Sequence, residues 1–312
     1  MPEPGAADEP VRNDVGKLLQ QPEIARIRLS MSHLRVDKKL SHGAYGEVFM
    51  GQYDRQQVAI KRLSPHHRNN LRHLQCFLSE AKLMAVMRHD RIIAFVGVGW
   101  SDPLDIHVVT EYMNGGDLRA LLQQFKSEGR PMGFDLEKLK IALHIIEALM
   151  YLHSRRPQVL HRDLKSRNVL LSSTLDAKLI DFGVSRERAD QTMTNGVGTV
   201  RWMAPEVMEG GRYGASADIF SFGAVVSELD THLLPYEAPG AEPLSNPAVI
   251  TQVSINKLKV AFTEDETHPM VRLARECMAF EASERPKTSV VLSRMRAIYA
   301  TANGEDCDAY DV

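Results

Sequence analysis

The chain of 312 residues is 44% hydrophobic and 25% charged, with a net charge of −2 at pH 7, an ordinary globular composition long enough for one large domain or two medium ones. The near-neutral balance gives no global pull towards nucleic acid or an anionic surface, and no apolar run approaches the roughly 20 residues of a membrane span. Cys76, Cys277 and Cys307 are odd in number and far apart, which excludes a disulfide framework or a zinc spacing and favours a reducing compartment; with no signal-peptide pattern in Met-Pro-Glu-Pro-Gly, a cytoplasmic chain, or the cytosolic portion of a larger protein, is expected.

Residues 1–33 open as a Pro/Glu/Asp-rich tail, expected to be disordered to about Glu9. Val15, Leu18, Leu19, Ile24, Ile27 and Leu29 then allow a short helix, interrupted at Pro22. Residues 34–63 read as three strands, with Leu34, Val36, Val48, Val58 and Ile60 at alternating positions and Asp54-Arg55-Gln56 as a turn. The apolar period of 70–88 predicts a helix, and two strands follow around Ile92–Val98 and Ile106–Tyr112. Asn114-Gly115-Gly116 breaks this pattern. Helices dominate beyond it: 135–154, with Leu139, Leu143, Ile146 and Met150 on one stripe, then 216–230, 268–279 and 287–300. The Pro-rich stretch 237–248 reads as a loop, 301–312 as an acidic tail, and no internal repeat is visible.

Two strings carry the chemistry. Residues 161–168 read His-Arg-Asp-Leu-Lys-Ser-Arg-Asn, and residues 181–183 read Asp-Phe-Gly. Asp163 is a carboxylate able to accept a hydroxyl proton. Asn168 and Asp181 offer oxygen ligands suited to a hard cation such as Mg²⁺. An isolated loop Asp is as often a turn residue or a helix cap. At this spacing the two strings resemble the catalytic core of a eukaryotic protein kinase. With the other motifs below, the resemblance covers roughly residues 34–297. It implies an α+β, bilobal protein-kinase fold: a small antiparallel β-sheet lobe with one regulatory helix (about 34–112), and a larger, mainly helical lobe (about 113–300).

The same resemblance implies ATP and Mg²⁺ as cofactors. Residues 40–48, Leu-Ser-His-Gly-Ala-Tyr-Gly-Glu-Val, are a strand–turn–strand with small residues that could close backbone N–H groups over phosphates. By itself this is equally a plain hairpin, and Ser41 stands where the family has its first glycine; Gly43 and Gly46 fit. In Val58-Ala59-Ile60-Lys61, alternation puts Ala59 and Lys61 on one face of a strand. Ala59 is small enough to lie against adenine. Lys61 is either a solvated strand-end lysine or the phosphate-holding lysine of the family. Glu80 favours the second reading. It falls within the Phe77, Ala81 and Met84 stripe of its helix, where an unpaired carboxylate is costly, and Lys61 is its natural partner. By resemblance, the backbone of Glu111 and Met113 in Val-Val-Thr-Glu-Tyr-Met binds adenine and Thr110 controls the back pocket. Asp117 lies near the ribose, and Leu40, Val48 and Leu170 complete the nucleotide site.

Lys165 would balance charge on the transferring phosphate, and Thr199 would hydrogen-bond the Asp163–Lys165 pair. Glu206 of Ala-Pro-Glu resembles the glutamate that pairs with a buried arginine, here Arg285. Asp218 resembles the aspartate that holds the catalytic-loop backbone, and Phe220 replaces the usual tryptophan. His161 and Phe182, with Met84 and Phe95, have a structural part; His66, His67 and His73 are a solvated loop and helix start, not a metal site. Lys165 and Thr199 are serine/threonine-type features, while Trp202–Glu206 and the 108–113 string look tyrosine-kinase-like; the blend resembles the tyrosine-kinase-like group of Ser/Thr kinases. The expected partners are a protein substrate with a Ser/Thr acceptor and an upstream activating kinase, with no nucleic acid and no membrane segment. Phosphorylation at Thr192 or Thr194, paired by Arg162 and Arg186, would order the activation segment. The rival reading is a pseudokinase scaffold or allosteric module, which predicts damage to Lys61, Glu80, Asp163, Asn168 or Asp181, and none is damaged. A small-molecule phosphotransferase is disfavoured by Thr199 and the intact Ala-Pro-Glu.

Overall fold

The computed structural model describes residues 9–43, 46–182, 199–238 and 240–304. The chain divides into two compact units, Met1–Met113 and Asn114–Val312.

In the first unit, two short helices precede the sheet, α1 (Glu9–Leu19) and α2 (Pro22–Ala25). Pro22 opens α2, where a missing N–H is harmless, so the proline starts a helix as well as separating two. The stretch expected to hold one short helix interrupted at Pro22 therefore carries two, with Val15, Leu19 and Ile24 buried. Alternating apolar residues then give β1 (Leu34–His42), β2 (Gly46–Tyr53) and β3 (Gln56–Leu63). Helix α3 (Leu71–Ala85) follows, capped by the Asn70 side chain, which accepts from the amides of Arg72 and His73. Strands β4 (Phe95–Trp100) and β5 (Ile106–Glu111) complete an antiparallel sheet of order β1-β2-β3-β5-β4. Strand β4 starts later than the expected Ile92, because Ile92 and Ile93 are buried without ladder partners and pairing begins at Phe95↔Thr110. On β3, Val58 and Ile60 pack with Val109 in an apolar cluster. Ala59 and Lys61 take the other face.

The second unit is mainly helical: α4 (Leu118–Ser127), α5 (Leu136–Ser154), the short hairpin β6 (Val169–Leu171) and β7 (Ala177–Leu179), then α6 (Pro205–Met208), α7 (Ala215–Thr231), α8 (Asn246–Ser254), α9 (Pro269–Cys277) and α10 (Thr288–Ala302). Helix α8 begins inside the stretch expected to be a Pro-rich loop. Ser245 caps it through the amide of Ala248, and proline sits in its first turn. Helix α5 packs against α7, α10 and β7. Its buried face accordingly widens to Ile141, Ala142, Ile145, Ala148 and Leu149, while Leu143 and Met150 of the expected stripe are only partly buried. Every residue of α7 from Ala217 to Thr231 is buried, as in a helix packed on all sides.

Candidate active site

In the N-terminal unit, Lys61 Nζ donates to Glu80 Oε1 at 2.7 Å. Strand alternation aims Lys61 away from the Val58/Ile60 core, and the period of α3 puts Glu80 among the buried Phe77, Ala81 and Met84. The Glu80 side chain is 8% exposed and that of Lys61 26%, so the pair is partly desolvated and each charge needs the other.

Gly43 N donates to Gly46 O at 2.8 Å, which closes the base of the β1–β2 turn. A Cβ on Gly46 would stand 2.7 Å from the carbonyl oxygen of Arg62, so this position tolerates only glycine without a strand shift; a Cβ on Gly43 would meet nothing nearer than 3.8 Å. Ala44 and Tyr45 lie outside the described residues. Ser41 is exposed on β1 and pairs with Val48, which pairs in turn with Lys61. Leu40 is 43% exposed, and Ala59 pairs with Thr110 on β5. At the end of β5 the Glu111 amide is committed to Ala94 O at 2.9 Å, and its carboxylate accepts from Ala94 N at 2.6 Å. Thr110 Oγ1 donates to the Glu111 carbonyl at 3.2 Å. Met113 is buried.

In the C-terminal unit, Asp163 stands at the centre of a tight cluster. Lys165 Nζ donates to both of its carboxylate oxygens, at 2.7 and 3.0 Å, and to Thr199 Oγ1 at 3.0 Å. Asn168 Nδ2 donates to the Asp163 carbonyl at 2.7 Å and to its carboxylate at 3.0 Å. Two acceptors on that end settle the orientation of the Asn168 amide and turn its Oδ1 away from Asp163. The amide of Ile180 donates to Asn168 O at 3.1 Å, so Asp181 follows directly on the residue tied to Asn168. Arg162 and Asp181 both hold left-handed backbone, at φ of 70° and 57°, a strained conformation for these residue types that the surroundings must impose.

Asp218, fully buried at the start of α7, imposes part of it by accepting from the amides of His161 at 2.8 Å and Arg162 at 2.9 Å. His161 is itself fully buried, and burial lowers its pKa and keeps the ring neutral. Its Nδ1 accepts from Asp163 N at 3.4 Å. Arg285 binds Glu206 through two bonds of 2.7 Å, and its guanidinium stacks on the Phe220 ring, 5.0 Å from the centroid. Asp117 Oδ1 caps α4 by accepting from Ala120 N at 3.0 Å, a local role the sequence reading did not assign it; Asp117 also bridges Leu170 on β6. Thr192, Thr194 and Arg186 lie outside the described residues.

No group of three or more His, Cys, Asp or Glu side chains suited to a metal ion occurs among the described residues, His66, His67 and His73 included. Mg²⁺ does not need one: it keeps several waters and takes one or two carboxylates together with substrate phosphates. Asp181 and the side-chain oxygen of Asn168 are oxygen donors of the type such a cation takes.

Residues 34–295 match the protein kinase domain family. The chain belongs to that family. The protein kinase domain is 34% identical over 273 residues to the serine/threonine-protein kinase STY17 of Arabidopsis thaliana, which covers 86% of this chain and 45% of that protein. It is 33% identical over 273 residues to STY46 of the same plant, with the same coverage. It is 32% identical over 291 residues to the probable serine/threonine-protein kinase drkA of Dictyostelium discoideum, 93% of this chain and 43% of that one. The chain thus spans less than half the length of these relatives. Its blend of Lys165 with the 108–113 and 202–206 strings is that of the tyrosine-kinase-like group.

Sequence reasoning missed one supporting cluster of this kinase domain. The fully buried Glu228 on α7 accepts from Ser166 Oγ at 2.8 Å, Trp202 Nε1 at 2.7 Å and Arg119 Nη1 at 3.2 Å. It thereby ties the 161–168 loop to the segment after Thr199 and to α4. The available signal was a carboxylate inside the apolar run 219–229, which demands a partner.

Proposed function

We propose that the chain is a serine/threonine protein kinase of the tyrosine-kinase-like group, transferring the γ-phosphoryl group of Mg·ATP to a protein hydroxyl. The observation that carries this reading is Lys165, whose ammonium bonds Asp163 and Thr199 at once. This triangle sets the carboxylate that would accept the acceptor hydroxyl's proton against the threonine that opens the Trp202–Glu206 platform. Asp163 orients the hydroxyl and takes its proton. Lys165 compensates the charge that develops on the phosphoryl oxygens. Lys61, held by Glu80, fixes the phosphates of the nucleotide, while Ala59, Val48 and Leu40 present apolar surface to the base. The carbonyl of Glu111 and the backbone of Met113 supply its polar contacts. Asp181 and Asn168 would hold Mg²⁺, which supplies charge neutralisation on the phosphates. The names of the relatives support serine or threonine as acceptor.

Activation through phosphorylation of Thr192 or Thr194 belongs to the same reading, with Arg162 beside the base as a phosphate partner and an upstream kinase or the chain itself as donor. The test is transfer of labelled phosphate from Mg·ATP to the chain and to a mixed protein substrate, with phosphoamino-acid analysis and Asp163→Asn as control. Phosphoserine or phosphothreonine formed by wild type alone supports the proposal. Nucleotide binding without transfer, unchanged by pretreatment with activating kinases, would replace it with the pseudokinase reading.

A further inference from the structure

We infer that residues 9–29, which precede the protein kinase domain match at 34–295, form an intramolecular clamp. They hold α3 where Glu80 meets Lys61, so phosphoryl transfer depends on a segment outside that match. The inference rests on the reading of Lys61 and Glu80 given above.

The segment is built into the N-terminal unit by four kinds of contact. First, α1 and α2 pack on α3 and bury Val15, Leu19 and Ile24, the first and last with no exposed surface. Val15 and Leu19 are four residues apart and so share one face of α1. Second, Lys82 of α3 donates to the Gln21 side chain at 2.5 Å. Positions 80 and 82 lie roughly 200° apart around a helix. Lys61 therefore holds α3 from one side through Glu80, and the α1–α2 link holds it from the opposite side through Lys82. Third, Arg12 Nη1 binds Asp102 Oδ2 at 2.7 Å, which ties α1 to the β4–β5 turn. Fourth, residues 27–29 extend the sheet beyond β4: Val98 N donates to Ile27 O and Leu29 N to Val98 O, both at 2.8 Å, in parallel pairing. The guanidinium of Arg28 lies over Trp100, 4.3 Å from the ring centroid.

The close approach is specific to this segment. A Cβ on Gly97 would stand 2.5 Å from Leu29 Cγ and 2.7 Å from Ile27 O, and one on Gly99 would stand 2.6 Å from Met31 Sδ. Residues 27–29 can lie this close to the edge strand only because position 97 carries no side chain, as Gly99 allows for Met31 just beyond them, which marks a built interface. Covering a sheet edge accounts for residues 27–29 by itself. It does not account for α1, whose apolar face and ion pair connect α3 to the β4–β5 turn. Helix α3 carries one half of the Lys61–Glu80 pair and is held from both sides, so the clamp fixes where Glu80 stands.

Leu19→Asp in the full chain removes the apolar anchor without touching any residue placed in the nucleotide or catalytic machinery. It is read by steady-state kinetics and by hydrogen exchange of the α3 amides, with α5 as internal reference. The clamp predicts faster exchange in Leu71–Ala85, unchanged exchange in Leu136–Ser154, and about tenfold lower kcat, the size of an ordinary coupling between sites. Arg12→Asp should act in the same direction, and its combination with Asp102→Arg should restore both readouts. Exchange in α3 unchanged by Leu19→Asp would overturn the clamp. Faster exchange at wild-type kcat would overturn its role in transfer. If wild type and Asp163→Asn are equally inactive, the proposed activity fails instead, and the exchange pattern alone decides whether the clamp exists. Should Leu19→Asp fail to fold, the Arg12/Asp102 swap makes the same decision.

Discussion

Replacing Asp218 by asparagine keeps the shape of a buried side chain and removes its capacity to accept on both ends. The carboxylate takes hydrogen bonds from His161 N at 2.8 Å, Arg162 N at 2.9 Å, Tyr213 Oη at 2.6 Å and His153 Nε2 at 2.9 Å. One oxygen serves Arg162 and Tyr213, and the other serves His161 and His153. In the asparagine variant one of these pairs faces an NH₂ group and is left without an acceptor. Two stranded buried donors at about 1–3 kcal/mol each, with weaker bonds to the surviving oxygen, give a loss of about 3–5 kcal/mol. For a unit of this size each kcal/mol moves the thermal midpoint by about 2–4 °C, so the fall at pH 7 is roughly 6–20 °C. A second readout follows from ionisation. Burial alone would raise the Asp218 carboxyl, but the bond from His153 and the neighbouring His161 and Tyr213 outweigh it and hold the folded pKa below the usual value. A depressed carboxylate contributes stability above its unfolded pKa of about 3.9 and loses it as pH falls through the folded value. The acid limb of wild-type stability below about pH 4 should therefore shrink in the variant. Transfer activity should fall with the midpoint, because the amides released are those beside Asp163. Differential scanning calorimetry from pH 3 to 8 reads both. A midpoint within about 2 °C of wild type at pH 7, with the acid limb intact, would refute the assignment of Asp218 as the anchor of the loop.

Thr199→Val should lower kcat/KM about 10- to 100-fold by removing the bond from the charged Lys165, and Thr199→Ser should restore most of it; equal activity in all three would remove Thr199 from the triangle. Asp181→Asn should cost about 10²–10³ or more in transfer rate while leaving the thermal midpoint near that of wild type, because it removes a ligand charge and not a core contact; wild-type turnover across a Mg²⁺ titration would contradict the metal assignment. Glu228 runs opposite to Asp218. Burial outweighs its hydrogen-bond donors and lifts its carboxyl to about 7, so its stabilising contribution is complete below the unfolded value of about 4.3 and is lost as pH rises through about 7. The unfolding free energy should decline between about pH 4 and 7 and level off above that, a decline that Glu228→Gln flattens; an identical slope in the variant would refute it.

The pairing of Lys61 with Glu80, and the gathering of Lys165 and Asn168 on Asp163, were legible because positioning chemistry dictates residue type at fixed local spacing, and such spacing survives without coordinates. Strand and helix types were legible for the same local reason. Boundaries slipped where burial and pairing part company, as at Ile92 and Ile93, which are buried outside the ladder. Helix α8 was hidden because proline in a first helical turn reads, by composition, as loop. Asp117 shows the reverse limit: a helix cap and a ligand contact call for the same side chain, and only geometry separates them. The supporting residues were harder still, since Arg119, Ser166, Trp202 and Glu228 are ordinary singly and meet only through the fold. Yet Asp218, Glu228 and Asp230 fall on a helix buried on every side, and a buried carboxylate is tolerated only when distant donors converge on it. Those three residues do recruit donors from elsewhere in the unit: the amides of the 161–168 loop for Asp218, Ser166, Trp202 and Arg119 for Glu228, and Thr263 for Asp230. Carboxylates in an otherwise apolar helix are thus a sequence-level marker of the scaffold that holds the catalytic loop in its strained form.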